Sequence, residues 1–269
     1  MSPHGALIGR LHQHAREDPD RAALMGRSAT VSYLELIQRI EAGRETLLRA
    51  GVTEQSIVAI ESDDDLEHLN LCLSIASLGA ASFTLATFEP AESKARLSAR
   101  LGATHVASFR AHSPASIRSL DPSERANEVR LDVPNGESTI LFATSGTTGE
   151  PKVVWHTDAT LTQQAHRHVR KEERFACLAS VEHNFAKRHR LYCLAEGATG
   201  ILVDGSIDGA ALEWLIQSGA TTLHVTAFQA RELLAVEGRE RLTGIRLKLG
   251  GSHVPGALRE RLRNEVSAE

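Results

Sequence analysis

Hydrophobic positions along the chain follow a helical period in some segments and form short continuous runs in others. Helical spacing predicts helices at 10–16, 34–49, 66–78, 92–101, 158–171, 210–217 and 228–236, with Gly51 and Gly102 as stops. The short apolar runs between them predict strands at 57–60, 82–86, 105–107, 139–143, 175–179, 199–203, 222–225 and 246–249. This alternation of strand and helix indicates an α/β fold built from parallel β-α units.

Two segments depart from the alternation. Residues 111–137 are polar and contain three prolines and a glycine, which predicts a surface connection that leads into the strand at 139–143. The final residues, 261–269, have the pattern of an amphipathic helix that is cut short. No internal repeat or low-complexity segment occurs in the sequence.

Composition narrows the class of protein. The 269 residues are 42% hydrophobic, enough for one large core or two smaller ones. A net charge of −4 without a long basic run argues against a nucleic-acid partner. No apolar stretch approaches the ~20 residues of a membrane span, and the N-terminus lacks the pattern of a signal peptide. Cys72, Cys177 and Cys193 are odd in number and widely spaced, which predicts buried, reduced thiols and a cytoplasmic location.

The thirteen histidines include two closely spaced pairs, His12 with His14 and His166 with His168. Such pairs suggest metal binding, but residues two apart do not share a helix face and no third ligand is placed by the pattern. Structural or surface roles are therefore the better interpretation, and we assign no metal ligands.

The strongest chemical signal is a run of hydroxyls and glycines that ends in a lysine and follows the apolar strand at 139–143. It reads Thr144, Ser145, Gly146, Thr147, Thr148, Gly149, Glu150, Pro151 and Lys152. Glycines let backbone amides turn toward an anion, hydroxyls add donors, and a lysine adds a charge suited to phosphate. The spacing differs from a Walker loop, which makes an unrelated NTPase a weaker interpretation. A polar surface turn is the plain alternative.

This string resembles the phosphate loop of the adenylate-forming superfamily, which includes acyl-CoA synthetases, luciferases and nonribosomal-peptide adenylation domains. Other segments resemble elements of the same family and occur in its order, from about residue 11 to the end: 31–36, 78–85, 194–199 and 249–252. Val153 departs from the pattern, because a glycine usually follows the family's lysine.

The resemblance implies a fold that the periodicity does not reveal. The family's large N-terminal portion has two α/β subdomains, each with three layers, that are interleaved in the sequence. By this likeness, 53–170 form the first subdomain and carry the phosphate loop, while 1–52 and 171–269 form the second, incomplete subdomain. The active site is expected in the groove between the two, and the C-terminal lid domain is expected to be absent.

The resemblance also implies the ligands. ATP is expected to bind through the residues Thr144, Ser145, Gly146, Thr147, Thr148, Gly149 and Lys152. Mg²⁺ is expected as the cofactor, with most of its ligands beyond the given residues. His183 matches an element that lies against the substrate carboxylate, although Asn184 and the basic run 187–190 depart from the family's pattern. A solvated basic helix end is the alternative for this segment. Gly250, Gly251 and Ser252 are expected to line the adenine and acyl pockets.

The expected activity is ATP-dependent conversion of a small carboxylic acid to an acyl-AMP, with CoA or a carrier-protein thiol as the acceptor. The sequence ends at Glu269, where the family would next show Tyr-Gly-x-Thr-Glu. We therefore expect negligible adenylation by these residues alone, since several charge-stabilising groups are absent. The alternative is a natural truncated homologue that binds a nucleotide or a partner without catalysis. The sequence leaves open which acid is used, which thiol accepts it, whether the truncation is natural, and whether the chain self-associates.

Overall fold

The chain forms two six-stranded sheets with helices against their faces. The computed structural model describes residues 5–109, 116–120, 137–144, 152–203, 207–251 and 253–266. The helices are α1 Gly5–Glu17, α2 Tyr33–Arg49, α3 Asp65–Ser77, α4 Ala91–Leu101, α5 Asp158–Ala165, α6 Asn184–Glu196, α7 Gly209–Gln217, α8 Ala227–Ala235 and α9 Gly256–Glu265, with a 3₁₀ turn at Arg239–Leu242. The strands are β1 Ala22–Met25, β2 Thr30–Ser32, β3 Ile57–Glu61, β4 Ala81–Thr84, β5 His105–Ser108, β6 Ser116–Ser119, β7 Thr139–Thr144, β8 Lys152–Thr157, β9 Arg174–Cys177, β10 Thr199–Ile201, β11 Thr222–Thr226 and β12 Arg246–Gly250.

The two sheets draw their strands from different parts of the chain. The first has the order β12-β11-β9-β10-β1-β2, and the second has the order β6-β5-β3-β4-β7-β8. Pairing is parallel in both except at the edges, where β2, β6 and β8 run antiparallel to their neighbours. The second sheet therefore lies, in sequence, between two parts of the first. The predicted α/β class with two sheets flanked by helices is confirmed, while the exact subdomain boundaries stay a prediction.

Successive residues of a strand point to opposite faces of the sheet, and so their side chains enter different cores. Val58 and Ile60 of β3 point into a core shared with the first sheet, whereas Ala59 points into an outer core beneath α4. In β9, Phe175 enters the shared core and Ala176 enters the core beneath α7, α8 and α9. Helices α1, α2, α3, α5 and α6 pack between the two sheets. Both sheets therefore rest on one middle layer of helices.

A capping box explains why α2 begins directly after β2. The Ser32 hydroxyl accepts a hydrogen bond from the Glu35 amide at 3.2 Å, and the Glu35 carboxylate accepts one from the Ser32 amide at 2.8 Å. This pair satisfies two backbone donors that the first turn would leave unpaired. The helix start predicted from residues 31–36 is confirmed.

Several predicted elements were wrong in extent. The helix predicted at 158–171 ends at Ala165, because the chain turns there and the His168 ring stacks on Tyr192 of α6 at 4.7 Å. Strands β1, β2 and β6 were missed, since they are three or four residues long and lie at or near a sheet edge. The rest of the predicted connection, at 111–115 and 121–136, lies outside the described residues.

The polar interpretation of residues 187–190 was also wrong. These residues belong to α6, and Lys187, His189 and Arg190 are buried in the middle layer instead of forming a solvated helix end. All three cysteines are buried free thiols, as predicted. Across the described ranges, no helix combines the length and the apolar character needed to cross a membrane.

Candidate functional site

The carboxyl ends of several strands from both sheets converge on one cleft. Its volume is about 1000 Å³. The second sheet contributes Thr84 at the end of β4 and Ala143 near the end of β7, and the first sheet contributes His183 after β9 and Gly251 after β12. Ligands of open α/β sheets bind at this edge, because the loops that follow the strands meet there. The cleft is therefore the candidate site.

The two ends of the predicted phosphate loop adjoin this cleft. Thr144 closes β7 and Lys152 opens β8, and the two residues are direct partners across the antiparallel ladder. Ala143 and Val154, next to these ends, line the cleft. The residues Ser145, Gly146, Thr147, Thr148 and Gly149 lie outside the described residues, so their roles stay predictions. What the structure provides is a fixed base for a seven-residue loop at the rim of the cleft.

His183 is held at the rim by contacts of its neighbours. The Asn184 side-chain amide donates to the Ala143 carbonyl, one residue before the phosphate loop begins. The Glu182 carboxylate accepts hydrogen bonds from the amide and the hydroxyl of Thr87. The His183 side chain is exposed, makes no cap bond to α6, and lies 5.8 Å from the Phe88 ring, centroid to centroid. The structure thus places His183 at the rim of the cleft, and its role against the substrate carboxylate stays a prediction.

A buried ion pair holds the segment 179–181, which leads to His183, in place. Asp65, the first residue of α3, pairs with Arg190 of α6, and both side chains are almost fully buried. The second Asp65 oxygen accepts a hydrogen bond from the Val181 amide at 2.7 Å, and Arg190 donates to the Ala179 carbonyl at 2.9 Å. These bonds fix residues 179–181 against both helices, and so they fix the approach of the chain to His183.

The glycine pair after β12 lies close to α6. A Cβ on Gly250 would be 2.6 Å from the Phe185 ring, which is closer than real side chains allow. Gly251 has a φ of +83°, in the left-handed region that favours glycine. Ser252 lies outside the described residues. The two glycines therefore let the backbone after β12 approach the start of α6.

Behind Phe185 lies a buried cluster of rings. His189 contacts His224 at 4.4 Å and Phe185 at 4.7 Å, and Phe185 contacts His224 at 4.2 Å, all between ring centroids. Burial lowers the pKa of His189 to about 4 and that of His224 to about 3. Both imidazoles are therefore neutral at pH 7 and act as aromatic packing groups that support the cleft wall.

The resemblance implies that Mg²⁺ binds, and a complete protein site for this ion would need several ligand side chains close together. They contain no group of three or more His, Cys, Asp or Glu side chains arranged to hold a metal ion. They do not fit a complete metal site by themselves, and the Mg²⁺ expectation stays a prediction. His14, one of the paired histidines, instead has its Nε2 at 2.9 Å from the Ala195 carbonyl in the core.

A sequence model described as AMP-binding enzyme matches residues 11–268. The chain belongs to this family. Adenylation, as the family's activity, and the predicted likeness to acyl-CoA synthetases and nonribosomal-peptide adenylation domains are thereby confirmed at the level of the family.

Curated relatives are much longer than this chain. It is 27% identical over 278 residues to phenyloxazoline synthase MbtB of Mycolicibacterium paratuberculosis (strain ATCC BAA-968 / K-10), covering 97% of this chain and 24% of that protein. It is 28% identical over 275 residues to the probable non-canonical nonribosomal peptide synthetase CymA of Salinispora arenicola (strain CNS-205), covering 92% of this chain and 4% of that protein. The chain thus spans a quarter or less of these relatives.

Solved structures share the fold at low identity. The N-terminal subdomain of Klebsiella oxytoca NpsA, in complex with 3-hydroxyanthranilyl-AMSN, aligns with a TM-score of 0.76 at 20% identity, over 94% of this chain and 68% of that one. The o-succinylbenzoate CoA synthetase MenE of Bacillus subtilis, in complex with the acyl-adenylate OSB-AMP, aligns with a TM-score of 0.78 at 20% identity, over 95% and 71%. At these identities the likeness establishes the fold.

Sequence reasoning missed part of the cleft wall. Phe88, His156 and Arg188 line it, and none of them was singled out as a site residue. Arg188 stands in the basic run that sequence analysis noted only as a departure from the family's pattern. Phe88 and His156 carry no motif, and only the fold brings the segment after β4 and strand β8 to the same cleft.

Proposed function

We propose that this chain binds ATP and a carboxylic acid in the cleft and supports formation of an acyl-AMP. The observation that carries the proposal is the convergence of Ala143 and Val154, which adjoin the loop ends Thr144 and Lys152, with His183 and Gly251 on one cleft. In the reaction, a carboxylate oxygen attacks the α-phosphorus of ATP and forms a new P–O bond. The bond from that phosphorus to the β-phosphate oxygen breaks, and pyrophosphate leaves with the electron pair.

The main difficulty of this step is the repulsion between the carboxylate and the phosphates, and residues of the chain would reduce it. Lys152 and the hydroxyls of Ser145, Thr147 and Thr148 are suited to bind the β- and γ-phosphates and so hold the leaving group. The His183 imidazole, at the rim beside the loop, is suited to contact the reacting carboxylate. Gly251, which lines the cleft, is suited to lie beside the adenylate.

Mg²⁺, when bound, would neutralise charge on the phosphates. The acceptor of the acyl group is proposed to be a thiol, either of CoA or of a carrier protein. Support for this comes from the relatives, since MenE is named a CoA synthetase and CymA a probable nonribosomal peptide synthetase. The 269 residues contain no Tyr-Gly-x-Thr-Glu element, and we expect little acyl-AMP formation from them alone.

Calorimetry tests where the nucleotide binds. ATP and a non-hydrolysable acyl-sulfamoyl adenosine would be titrated into the wild-type chain, Lys152→Ala and Thr147→Ala. Charge-assisted hydrogen bonds contribute about 1.5–3 kcal/mol, so Lys152→Ala is expected to weaken ATP binding roughly 10- to 100-fold. Lys171→Ala is the matched control, because that lysine is partly exposed and pairs with Glu17 at 3.0 Å away from the cleft.

Either of two results would overturn the proposal: no ATP binding by the wild type, or equal ATP binding by Lys152→Ala and Lys171→Ala. Mass spectrometry for acyl-AMP, with a panel of acids, follows the binding test. Detection of acyl-AMP would rule out the alternative of a non-catalytic nucleotide-binding homologue, whereas binding without product is expected under both functions.

A further inference from the structure

Arg188 is a cation on the cleft wall that the described part of the chain does not neutralise. Its guanidinium has no hydrogen bond or ion pair to any described residue, and its Nε is buried without a partner. Other cations at the cleft have partners: Lys94 pairs with Glu61 at 2.7 Å and Arg96 pairs with Glu92 at 2.7 Å. A partly buried guanidinium without an acceptor loses hydration and gains nothing from the protein in return.

The groups around Arg188 do not compensate its charge. The guanidinium acts electrostatically on His156, His168 and Tyr192. Burial, with a further contribution from Arg188, lowers the pKa of both histidines, so all three neighbours are uncharged near pH 7. The carboxylate of Glu182, which also lines the cleft, is hydrogen-bonded to Thr87. The described lining of the cleft holds more cations than carboxylates, and neither of its carboxylates, Glu89 or Glu182, forms an ion pair with Arg188.

Arg188 lies away from the proposed phosphate site. It follows Asn184 by four residues, which is about one turn or 6 Å along α6 from the rim. His156, its neighbour, stands four residues along β8 from Lys152, which is about 13 Å in an extended strand. The positive end of the cleft thus lies at a distance from Lys152, where the phosphate loop ends.

We propose that the acid bound in this cleft carries a second carboxylate, and that Arg188 binds that carboxylate while the first is activated. This rests on the proposed function. A guanidinium can donate two parallel hydrogen bonds to a carboxylate, a geometry that also orients the acid along the cleft. The substrate class is therefore dicarboxylic acids, as opposed to acids with an apolar tail.

The test compares acyl-sulfamoyl adenosines that differ only in the end of the acyl group. Succinyl and glutaryl compounds carry the second carboxylate, and butanoyl and pentanoyl compounds of the same length have a methyl group there. Calorimetry on the wild-type chain is expected to show at least about tenfold tighter binding of the carboxylate-bearing member of each pair. Arg188→Met is expected to abolish this preference, and Arg188→Lys to retain part of it.

A matched variant separates binding from folding. Arg190→Met, two residues away on α6, breaks a buried ion pair and is expected to lower the melting temperature. Arg188→Met removes an unpaired charge and is expected to leave the melting temperature unchanged or raise it. An equal fall in both variants would assign Arg188 a structural role and overturn the inference.

The remaining outcomes distinguish this inference from the proposed function. If the wild type binds all four compounds without preference, the dicarboxylate inference is wrong and the proposed function stands. If Arg188→Met weakens ATP and all four compounds equally, Arg188 binds the nucleotide phosphates and the inference is again wrong. If no compound and no ATP bind to the wild type, both the inference and the proposed function fail.

Discussion

The ion pair between Asp65 and Arg190 is the contact whose loss should most affect both the fold and the candidate site. Asp65→Ala removes the carboxylate that pairs with Arg190 and accepts the Val181 amide. Arg190 keeps its bonds to the carbonyls of Ala179 and Cys177, but it becomes a buried charge without a counterion. The Val181 amide loses its acceptor in the same step.

The magnitude follows from burial. The Arg190 side chain is 2% exposed and that of Asp65 is 8% exposed, so solvent screens the pair little. Removing one partner of such a buried pair typically costs about 3–5 kcal/mol. Domains have about 5–15 kcal/mol of total stability, so this loss is a large fraction of it. With about 2–4 °C per kcal/mol for chains near this size, the melting temperature should fall by about 6–20 °C.

The assay is urea unfolding of the wild type, Asp65→Ala and a matched control, Glu67→Ala. Glu67 lies on the same helix and pairs with Arg39 at 3.6 Å, but the Arg39 side chain is 43% exposed. Loss of the pair between Glu67 and Arg39 should lower the free energy of unfolding by less than about 1 kcal/mol. In hydrogen-exchange measurements under conditions where global unfolding does not contribute, the Val181 amide should exchange faster in Asp65→Ala than in the wild type.

A double variant, Asp65→Leu with Arg190→Met, isolates the unpaired charge. Apolar replacement of both partners of a buried pair is often neutral or stabilising, so the double variant should be more stable than Asp65→Ala. The reasoning is refuted if Asp65→Ala costs less than about 1 kcal/mol, or if the double variant is less stable than the single one.

Two further predictions concern the cleft wall and pH. Gly250→Ala places a Cβ 2.6 Å from Phe185 and should cost about 1–3 kcal/mol in urea unfolding, whereas Gly256→Ala, with nothing within 4 Å, should be neutral or stabilising. Equal effects of the two changes would contradict the close packing of α6 on β12. Burial lowers the pKa of His68 to about 3, below its unfolded value of 6.5, so the folded state binds fewer protons and stability falls as pH decreases from about 6.5 toward 3. Between pH 6.5 and 5 this histidine should account for a loss of about 2 kcal/mol, and His68→Asn should show a correspondingly smaller pH dependence in urea unfolding.

The phosphate-loop signature and the strand before it could be recognised in the sequence because their signals are local, and the binding role of the loop stays a prediction. Nine consecutive residues carry the glycines, hydroxyls and lysine, and the apolar run before them predicts the strand that became β7. The helix at 34–49 was predictable for a similar reason, since Ser32 and Glu35 form a cap within four residues. Signals of this kind need no knowledge of the rest of the chain.

The cleft was not predictable in the same way, because its parts come from distant segments. Asn184 meets Ala143 across 41 positions, and Glu182 meets Thr87 across 95. The family resemblance supplied the expectation that His183 lies against the substrate carboxylate, and the periodicity of the sequence gave no information on the position of this side chain. The structure adds the hydrogen bonds that hold the segment there.

The basic run of α6 shows most clearly what the sequence leaves undetermined. Lys187, Arg188 and Arg190 look alike in the sequence, yet the fold gives each a different environment. Arg190 meets a carboxylate 125 positions earlier in the chain. Lys187 is fully buried and donates to the Thr84 hydroxyl at 3.1 Å, and burial lowers its pKa.

Arg188 differs from both of its neighbours in a way that bears on function. Arg190 has a counterion, and burial lowers the pKa of Lys187, which favours its neutral form. An arginine stays protonated under all ordinary conditions, so partial burial does not remove the charge of Arg188. Its charge must be met either by solvent in the cleft or by an anion that binds there. Because its Nε is already buried from solvent, a bound anion is the more effective partner, and the dicarboxylate test measures that preference directly.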